Sequence, residues 1–353
     1  MTCTLDLYTD YLLSSTGPTS ATGLSRLVDG ALSHDQITRW LNATYLDSKE
    51  LWTHAKPLIR QVERQLVADE FAVLIVDDSI VEKTHTDENT LICTHYDHSK
   101  NRYVRGLNFV SLLYQARNLA LPIAVELVEK TDLITDVKTQ KNKYVSKLTK
   151  NEMFRQMLRQ AQQQVSYRYL LADSWYASAE NMQAVLDLKH DFVLAMPSSR
   201  TVALGESARK HGKFVALDSV CFPAKKPLLV YLRALDVAVL VVRQVFTNQD
   251  GSEGVLYLVS SDTSLDYEQI TTIYQRRWKV EEYHKSLKQH TGIGHSPTRT
   301  PATQANHFFA SMLAYIKLET LKIRHSIGHF RLKAQLYTVG LKAMYQHLSM
   351  FTA

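Results

Sequence analysis

Residues 71–79 read FAVLIVDDS, a continuous apolar run that ends in two adjacent aspartates. Such a run is typical of a strand that is buried on both faces of a sheet, and here acids stand where the strand is expected to end. The pattern returns at residues 169–173, which read YLLAD, between segments of helical spacing at 152–164 and 177–187. Because a buried strand that ends in an acid occurs twice among helices, the sequence predicts an α/β fold.

The rest of the chain divides into regions of different periodicity. Strands are also predicted at 91–96, 103–114 and 192–196, and short alternating runs between 197 and 261 predict a β-rich insertion. From residue 267 the spacing is helical. Before the first strand, helices are predicted at 22–28, 34–41 and 48–68, with Ser33 as an N-cap. The first two resemble a helix-turn-helix DNA reader, and an ordinary two-helix element would have the same spacing.

The composition indicates a folded, mildly basic protein. Apolar residues make up 45% of the 353 residues and charged residues 22%, which excludes a disordered chain. The 41 lysines and arginines exceed the 35 acids, for a net charge of +6. This balance suits a polyanionic partner such as nucleic acid, or simply keeps a protein soluble. Without a basic leader or an apolar run of membrane-spanning length, we expect a soluble cytoplasmic protein with no membrane partner.

The cysteines are too few and too far apart for a disulfide framework. Cys3, Cys93 and Cys221 form no C-x-x-C pair, as is usual in a reducing compartment. His95 and His98 do not complete a common zinc spacing with Cys93, so we interpret them as surface polar residues.

Residues 274–288 read YQRRWKVEEYHKSLK. Tyr274, Arg277, Glu281, Lys285 and Lys288 advance by three or four positions, so on one helix they would form one polar face. On that face Glu281 can hold a metal ion while Arg277 and Lys288 neutralise phosphate. Tyr274 can hydrogen-bond a terminal phosphate or stack on a base. A solvated helix with i,i+4 ion pairs would have the same spacing.

This segment resembles a known family, the DDE transposases of bacterial insertion sequences. In the insertion-sequence-four group the signature is Tyr-x2-Arg-x3-Glu-x6-Lys, and Tyr274, Arg277, Glu281 and Lys288 match it in residue type and spacing. The resemblance extends over roughly residues 70–290 and covers the flanks only in outline.

Two further aspartates match the same family. Members have a first aspartate at the end of the opening ribonuclease-H-like strand, usually before Ser or Thr, and a second at the end of a later strand. Asp78 precedes Ser79 and Asp173 ends the later strand, so both fit these places. The resemblance therefore implies that Asp78, Asp173 and Glu281 are catalytic and bind two Mg²⁺ or Mn²⁺ ions.

Family members work by cut-and-paste transposition, and the resemblance implies the same mechanism here. Water first frees a 3′-OH, which then attacks the opposite strand to form a hairpin and later attacks target DNA. Some relatives hold a flipped base with a tryptophan from the β-insertion, and this chain has none there.

The resemblance also implies an architecture of four parts. These are a helical DNA-end-binding domain (1–68), an α/β ribonuclease-H-like catalytic domain (69–196 and 262–296), the β-rich insertion (197–261) and a helical C-terminal region (297–353).

The expected partners are double-stranded DNA, both terminal inverted repeats and target, and a second copy of the chain. A homodimer on paired ends is expected because two ends must be joined together, with the C-terminal helices as its surface. Further DNA contacts are predicted for basic and aromatic side chains, namely Trp278, Lys285, Arg39, Lys100, Arg105 and the lysines at 138, 141, 143 and 147. A solvated turn would account equally well for Lys100, Arg105 and these lysines, and a core position would account for Trp278. The alternatives are a metal-dependent nuclease without strand transfer and an inactive, transposase-derived DNA-binding regulator.

Which of the two adjacent aspartates binds metal is a separate question. Side chains alternate along a strand, so Asp77 and Asp78 are expected on opposite faces of the sheet and only one can join Asp173 and Glu281. We predict Asp78, because it precedes Ser79, and a capping or supporting role for Asp77.

Overall fold

The computed structural model describes residues 1–98, 100–135, 137, 140–248 and 250–352, the last of these without its side chain. Lys138, one of the lysines predicted to contact DNA, lies outside this part of the chain. Within it, no helix is both long and apolar enough to cross a membrane.

Helices occupy both ends of the chain and connect the strands between them. The first group is α1 (Leu5–Ser14), α2 (Ala21–Leu27), α3 (His34–Ala43) and α4 (Ser48–Glu63). Ser33 caps α3 through a capping box with Gln36, which confirms the predicted N-cap. Between the strands lie α5 (Lys150–Gln164), α6 (Ala179–Asp187) and α7 (Glu206–Lys210). After them come α8 (Tyr267–Gln275), α9 (Trp278–His290), α10 (Pro301–His325) and α11 (His329–Thr352).

The described strands form a large mixed sheet and a separate hairpin. They are β1 (Val73–Glu82), β2 (Ile92–Asp97), β3 (Arg102–Ala116), β4 (Leu119–Leu127), β5 (Lys130–Thr135), β6 (Asn142–Ser146), β7 (Tyr169–Ala172), β8 (Asp191–Met196), β9 (Thr201–Ala203), β10 (Val215–Ala216), β11 (Leu228–Leu232), β12 (Ala238–Thr247) and β13 (Glu253–Ser260). The order in the large sheet is β10-β9-β11-β12-β13-β8-β7-β1-β3-β2, and β4 also pairs with β3. β1, β7 and β8 are mutually parallel, whereas β3 runs antiparallel to β1.

β1 continues past the two aspartates at which the sequence predicted its end. Pairing with β3 passes Asp77 and Asp78 and reaches Glu82, which lies opposite Gly106. A β-carbon at Gly106 would collide with the facing backbone, so glycine permits the two strands to pair this far. Asp77, Asp78 and Ser79 interrupt the apolar run before Ile80 and Val81, and the prediction relied on continuous apolar runs, so it missed the extension.

The strands within residues 197–261 enlarge the central sheet. β13 pairs with β8, and β12, β11, β9 and β10 follow it outward in antiparallel fashion. Two other features were not predicted. β4 adds to β3, and β5 pairs with β6 in a separate hairpin.

The expectation that His95 lies on the surface is wrong. His95 is buried on β2, and its Nδ1 lies 3.4 Å from the side-chain nitrogen of buried Asn108 on β3.

The N-terminal helices pack against α10 and β4. The Tyr8 hydroxyl lies 2.9 Å from Nδ1 of His307, and both side chains are buried. Asn306 of α10 accepts a hydrogen bond from the Leu46 amide at 3.0 Å and donates one to the Leu41 carbonyl at 2.8 Å. The first and last thirds of the chain therefore share one hydrophobic core.

Candidate active site

Alternation along β1 directs its two aspartates to opposite faces of the sheet. Asp78 meets the start of α5, where its Oδ2 lies 2.5 Å from the Nζ of Lys150. Its Oδ1 accepts a hydrogen bond from the Tyr176 hydroxyl at 3.1 Å. The Lys150 ammonium therefore balances the charge of Asp78, and the Tyr176 hydroxyl satisfies its second oxygen.

Asp77 faces α9 on the other side of the sheet. Its carboxylate, the Glu281 carboxylate and the His284 imidazole offer ligand atoms that all lie within 4.8 Å of one another. Glu281 and His284 are three residues apart and so project from the same face of α9. Among the described residues, this is the one group of three or more His, Cys, Asp or Glu side chains placed to hold a metal ion.

Buried aromatic side chains fix α9 against the sheet. The ring of His284 meets Phe109 of β3 edge to face, with centroids 5.8 Å apart. Tyr283 is buried on the same helix, and its hydroxyl donates to the sulfur of Met312 on α10 at 3.0 Å. Because α9 is packed between β3 and α10, the position of Glu281 depends on tertiary contacts.

Asp173 follows β7, the parallel neighbour of β1. Ile75 pairs with Leu171, so extending the register by two residues brings Asp173 beside Asp77 on the same face. Its Oδ1 accepts the backbone N–H of Trp175 at 3.0 Å, which holds the carboxylate at the exit of the strand.

The crowding of these groups changes their pKa values. Burial, followed by the charges of Asp173 and Asp78, raises the pKa of Asp77 to about 8. Burial is also the largest cause that raises the pKa of Asp173. Burial lowers the pKa of His284 to about 3, so its imidazole is neutral and keeps a lone pair at physiological pH. Carboxylates and a neutral imidazole directed at one point form a donor set that attracts a divalent cation.

The signature residues lie on two helices, and the prediction of one continuous helix is wrong. α8 ends just before Arg276, and α9 begins just after Arg277. Arg276 donates to the Gln115 side chain at 2.6 Å and to the Phe71 carbonyl at 3.0 Å. This half-buried guanidinium ties the helix junction to the ends of β1 and β3, which positions Arg277 over the site.

Arg277 places a positive charge directly beside the acids. Its Nη1 lies 3.5 Å from Oε1 of Glu281, and its guanidinium lies 5.8 Å from the centre of the Tyr274 ring. Desolvation acts to lower the pKa of Arg277, but Tyr274, Asp77, Glu281 and Asp173 together raise it. A phosphate that entered the site would meet this guanidinium.

The other predicted DNA contacts on α9 do not share one surface. Trp278 is 63% exposed next to Arg277. The Lys285 ammonium lies 5.1 Å from the ring centre of Phe330, so it is directed toward α11. Lys288 lies near Lys100, and partial burial followed by this second ammonium lowers its pKa.

The remaining predicted contacts lie farther along the surface. Lys100 forms an ion pair with Glu82. Arg105 donates to the Thr84 carbonyl at 2.5 Å. Arg39 is exposed on α3.

Residues 1–213 match the model of a family described as DDE superfamily endonuclease. The chain belongs to the DDE superfamily endonucleases. A search of curated proteins found no match. Membership indicates that this DDE endonuclease cleaves DNA with the help of divalent metal ions. The matched stretch contains Asp77, Asp78 and Asp173, whereas Glu281 lies beyond it.

Four residues around the acids of this DDE endonuclease were not predicted as site residues. His284 had a signal, because it stands three residues after Glu281 on a helix. Lys150 and Tyr176 had none, since they reach Asp78 across 72 and 98 residues of sequence. The fourth, Trp175, is 46% exposed beside Asp173, with the Lys150 ammonium 5.5 Å from its ring centre.

Proposed function

We propose that this chain is a DDE transposase of the insertion-sequence-four group, which cleaves DNA at the ends of its element and joins those ends to target DNA. The observation that carries the proposal is the convergence of Asp77, Asp173 and Glu281, from three separate elements, around the charge of Arg277. Tyr274 and Arg277, both in the signature, also contact each other, which supports the assignment to this group.

We also propose that β4, β3, β1, β7 and β8 form a ribonuclease-H-like core. The supporting arrangement is that one acid lies on central β1 and another directly after the parallel neighbour β7. These are the places that the family resemblance assigns to its two aspartates.

In this proposal Asp77 takes the place that the family motif predicts for Asp78. Three observations support assigning this role to Asp77 rather than Asp78. Asp77 shares a face with Glu281, the β1–β7 register extended by two residues places it beside Asp173, and Lys150 contacts Asp78 on the opposite face. The motif rule that favoured the aspartate before Ser79 carries no information about the face on which α9 packs.

The donor chemistry fits a divalent cation, with Asp77, Asp173 and Glu281 as the residues that would hold it. When bound, Mg²⁺ or Mn²⁺ ions would activate the attacking oxygen and stabilise the leaving oxygen at phosphorus. Arg277 would bind the non-bridging phosphate oxygens, and exposed Trp278 offers a ring on which a base can stack.

Each proposed reaction step exchanges one phosphorus–oxygen bond for another. In the first step a water oxygen bonds to phosphorus while the bond to the 3′ oxygen breaks, and that oxygen leaves as a 3′-OH. In the second step the 3′-OH attacks a phosphodiester of the target and displaces its 3′ oxygen in turn. No bond to the protein is formed, so the site needs acids and bases but no nucleophilic side chain.

The Arg277→Ala variant is expected to bind DNA less tightly and with a weaker dependence on salt. Loss of one phosphate contact should reduce the slope of log affinity against log salt by about one. Titrations of a labelled duplex at several salt concentrations measure this slope. Lys285→Ala is the matched control, because its ammonium points toward Phe330 and its removal should leave the slope unchanged. An unchanged slope for Arg277→Ala would remove this residue from the DNA interface.

The decisive test of function separates joining from cutting. A donor plasmid carries the gene with its flanking DNA, and it is incubated with the purified protein, a second plasmid and Mg²⁺ or Mn²⁺. Joined molecules with a short duplication of target sequence are the expected result. Cut donor without joined products would instead identify a nuclease without strand transfer, and binding without cutting would identify a DNA-binding regulator.

We propose that the working unit is a homodimer joined through α11. Apolar side chains repeat along this helix at alternating steps of four and three, which is the spacing of a coiled-coil seam: Phe330, Ala334, Tyr337, Leu341, Met344, Leu348 and Phe351. The seam is exposed in one copy, with Tyr337 at 58% and Phe351 at 77%. Pairing two seams would bury on the order of 1,000 Å², enough for a specific interface.

A further inference from the structure

The imidazole of His284 is buried beside the acids, and its two nitrogens lie in different surroundings. Nδ1 lies 3.9 Å from Oδ2 of Asp77. Nε2 is buried and has no hydrogen-bond partner among the described residues. Nδ1 faces the acids without a hydrogen bond of normal length to a described residue, so it is the nitrogen placed to bind a cation beside Asp77.

We propose that His284 donates a nitrogen ligand to a divalent cation held by Asp77 and Glu281, and that this ligand makes the centre prefer Mn²⁺ to Mg²⁺. The inference rests on the proposed metal-dependent function and adds a fourth ligand, of a different chemical class, to its three carboxylates.

The distances favour shared coordination over a direct hydrogen bond. A hydrogen bond between nitrogen and oxygen spans about 2.7–3.2 Å, so 3.9 Å is too long. Two ligands of one ion can be up to about 4.4 Å apart, because each lies about 2.0–2.2 Å from the metal. Glu281 and His284 are one helical turn apart, a spacing at which a carboxylate and an imidazole can bind the same ion.

The surroundings of His284 hold its ring in place. Phe109 lies edge to face against it, and the neighbouring Tyr283 ring lies 5.0 Å away. A ligand that is already oriented loses little conformational freedom when a metal binds.

Metal selectivity follows from the nitrogen. Mg²⁺ is a hard ion that takes oxygen ligands and keeps several waters, whereas imidazole is a good ligand for transition metals. Mn²⁺ accepts both donor types and is similar to Mg²⁺ in charge. A centre of carboxylates alone would separate the two ions less strongly.

The competing explanation is that His284 only fills space between α9 and β3. A packing role would give no bond between metal and nitrogen. It would also change the affinities for Mn²⁺ and Mg²⁺ equally, if at all.

Pulsed electron paramagnetic resonance of Mn²⁺ bound to the full-length protein tests the bond directly. We expect the wild type to give a nitrogen coupling that disappears in His284→Gln and remains in His290→Gln, a change at another buried histidine of α9. We also expect His284→Gln to weaken Mn²⁺ binding at least about tenfold while Mg²⁺ binding changes little. Circular dichroism checks that each variant folds, and His284→Asn replaces His284→Gln if the latter does not.

Two results would overturn the inference. One is a wild-type Mn²⁺ spectrum without nitrogen coupling, which needs no variant. The other is a coupling or a ratio of Mn²⁺ to Mg²⁺ affinity that survives the loss of His284. Neither result depends on DNA joining, so the plasmid assay still decides the proposed function. A protein that joins DNA without nitrogen coupling would contradict only the role of His284.

Discussion

Asp77→Asn is expected to abolish DNA cleavage, whereas Asp78→Asn should retain measurable activity. Removal of an anionic ligand would forfeit several kcal/mol of charge stabilisation, which corresponds to a loss on the order of a thousandfold in rate. Asp78 lies on the opposite face of the sheet, where it contacts Lys150 and Tyr176. Cleavage of a labelled duplex that carries an element end, measured with Mg²⁺ and Mn²⁺, compares the two variants.

Stability measurements are needed to interpret this comparison. Asp78→Asn breaks a part-buried ion pair and should lower the free energy of unfolding by about 1–3 kcal/mol, so both variants are assayed at a temperature where they are folded. Both should still bind DNA, because Arg277 is untouched. A folded Asp78→Asn protein without activity, together with an active Asp77→Asn protein, would restore Asp78 as the metal ligand and reject the exchange that we propose.

The double variant Leu341→Glu with Leu348→Glu should convert the dimer to a monomer and eliminate joined products. Four carboxylates would be forced together along the seam of α11, where burial of an unpaired charge costs several kcal/mol. Light scattering after gel filtration should then report 40.3 kDa for the variant and twice that mass for the wild type.

A matched control places the same charges elsewhere on α11. Gln335→Glu with Gln346→Glu adds two acids at exposed positions off the seam and should leave both the mass and the joined products unchanged. A wild type that is monomeric even on element ends, or a seam variant that remains dimeric, would contradict the proposed interface.

The sequence predicted those parts of the protein whose signal is local. β1 and β7 each have an apolar run of their own, and Glu281 stands in a segment with clear helical spacing, so their elements are recognisable without the rest of the chain. The choice between Asp77 and Asp78, in contrast, depends on tertiary packing that no local pattern reveals. Alternation required that they face opposite sides, but the face that α9 covers depends on the packing of Tyr283 and on Arg276, which anchors the helix junction.

Long-range contacts account for the other differences. Lys150 is the first residue of α5 and gives no hint in sequence that it pairs with an acid 72 residues earlier. β4 contains Pro122, which is unusual inside a strand, and it is accommodated beside a register shift in the pairing with β3. Such features become visible only when the partners are known.

The packing of α1 on α10 has a consequence for the time at which activity appears during translation. Tyr8 and its partner His307 are 299 positions apart, so the ribosome delivers the first helix long before the surface that buries it. A nascent chain that already contains Asp77 and Asp173 still lacks Glu281, and its amino-terminal helices still expose their apolar sides. If Asp77, Asp173 and Glu281 form the proposed centre, each molecule stays without a complete centre during most of its synthesis and becomes competent to cut only after Glu281 and the surface of α10 have emerged.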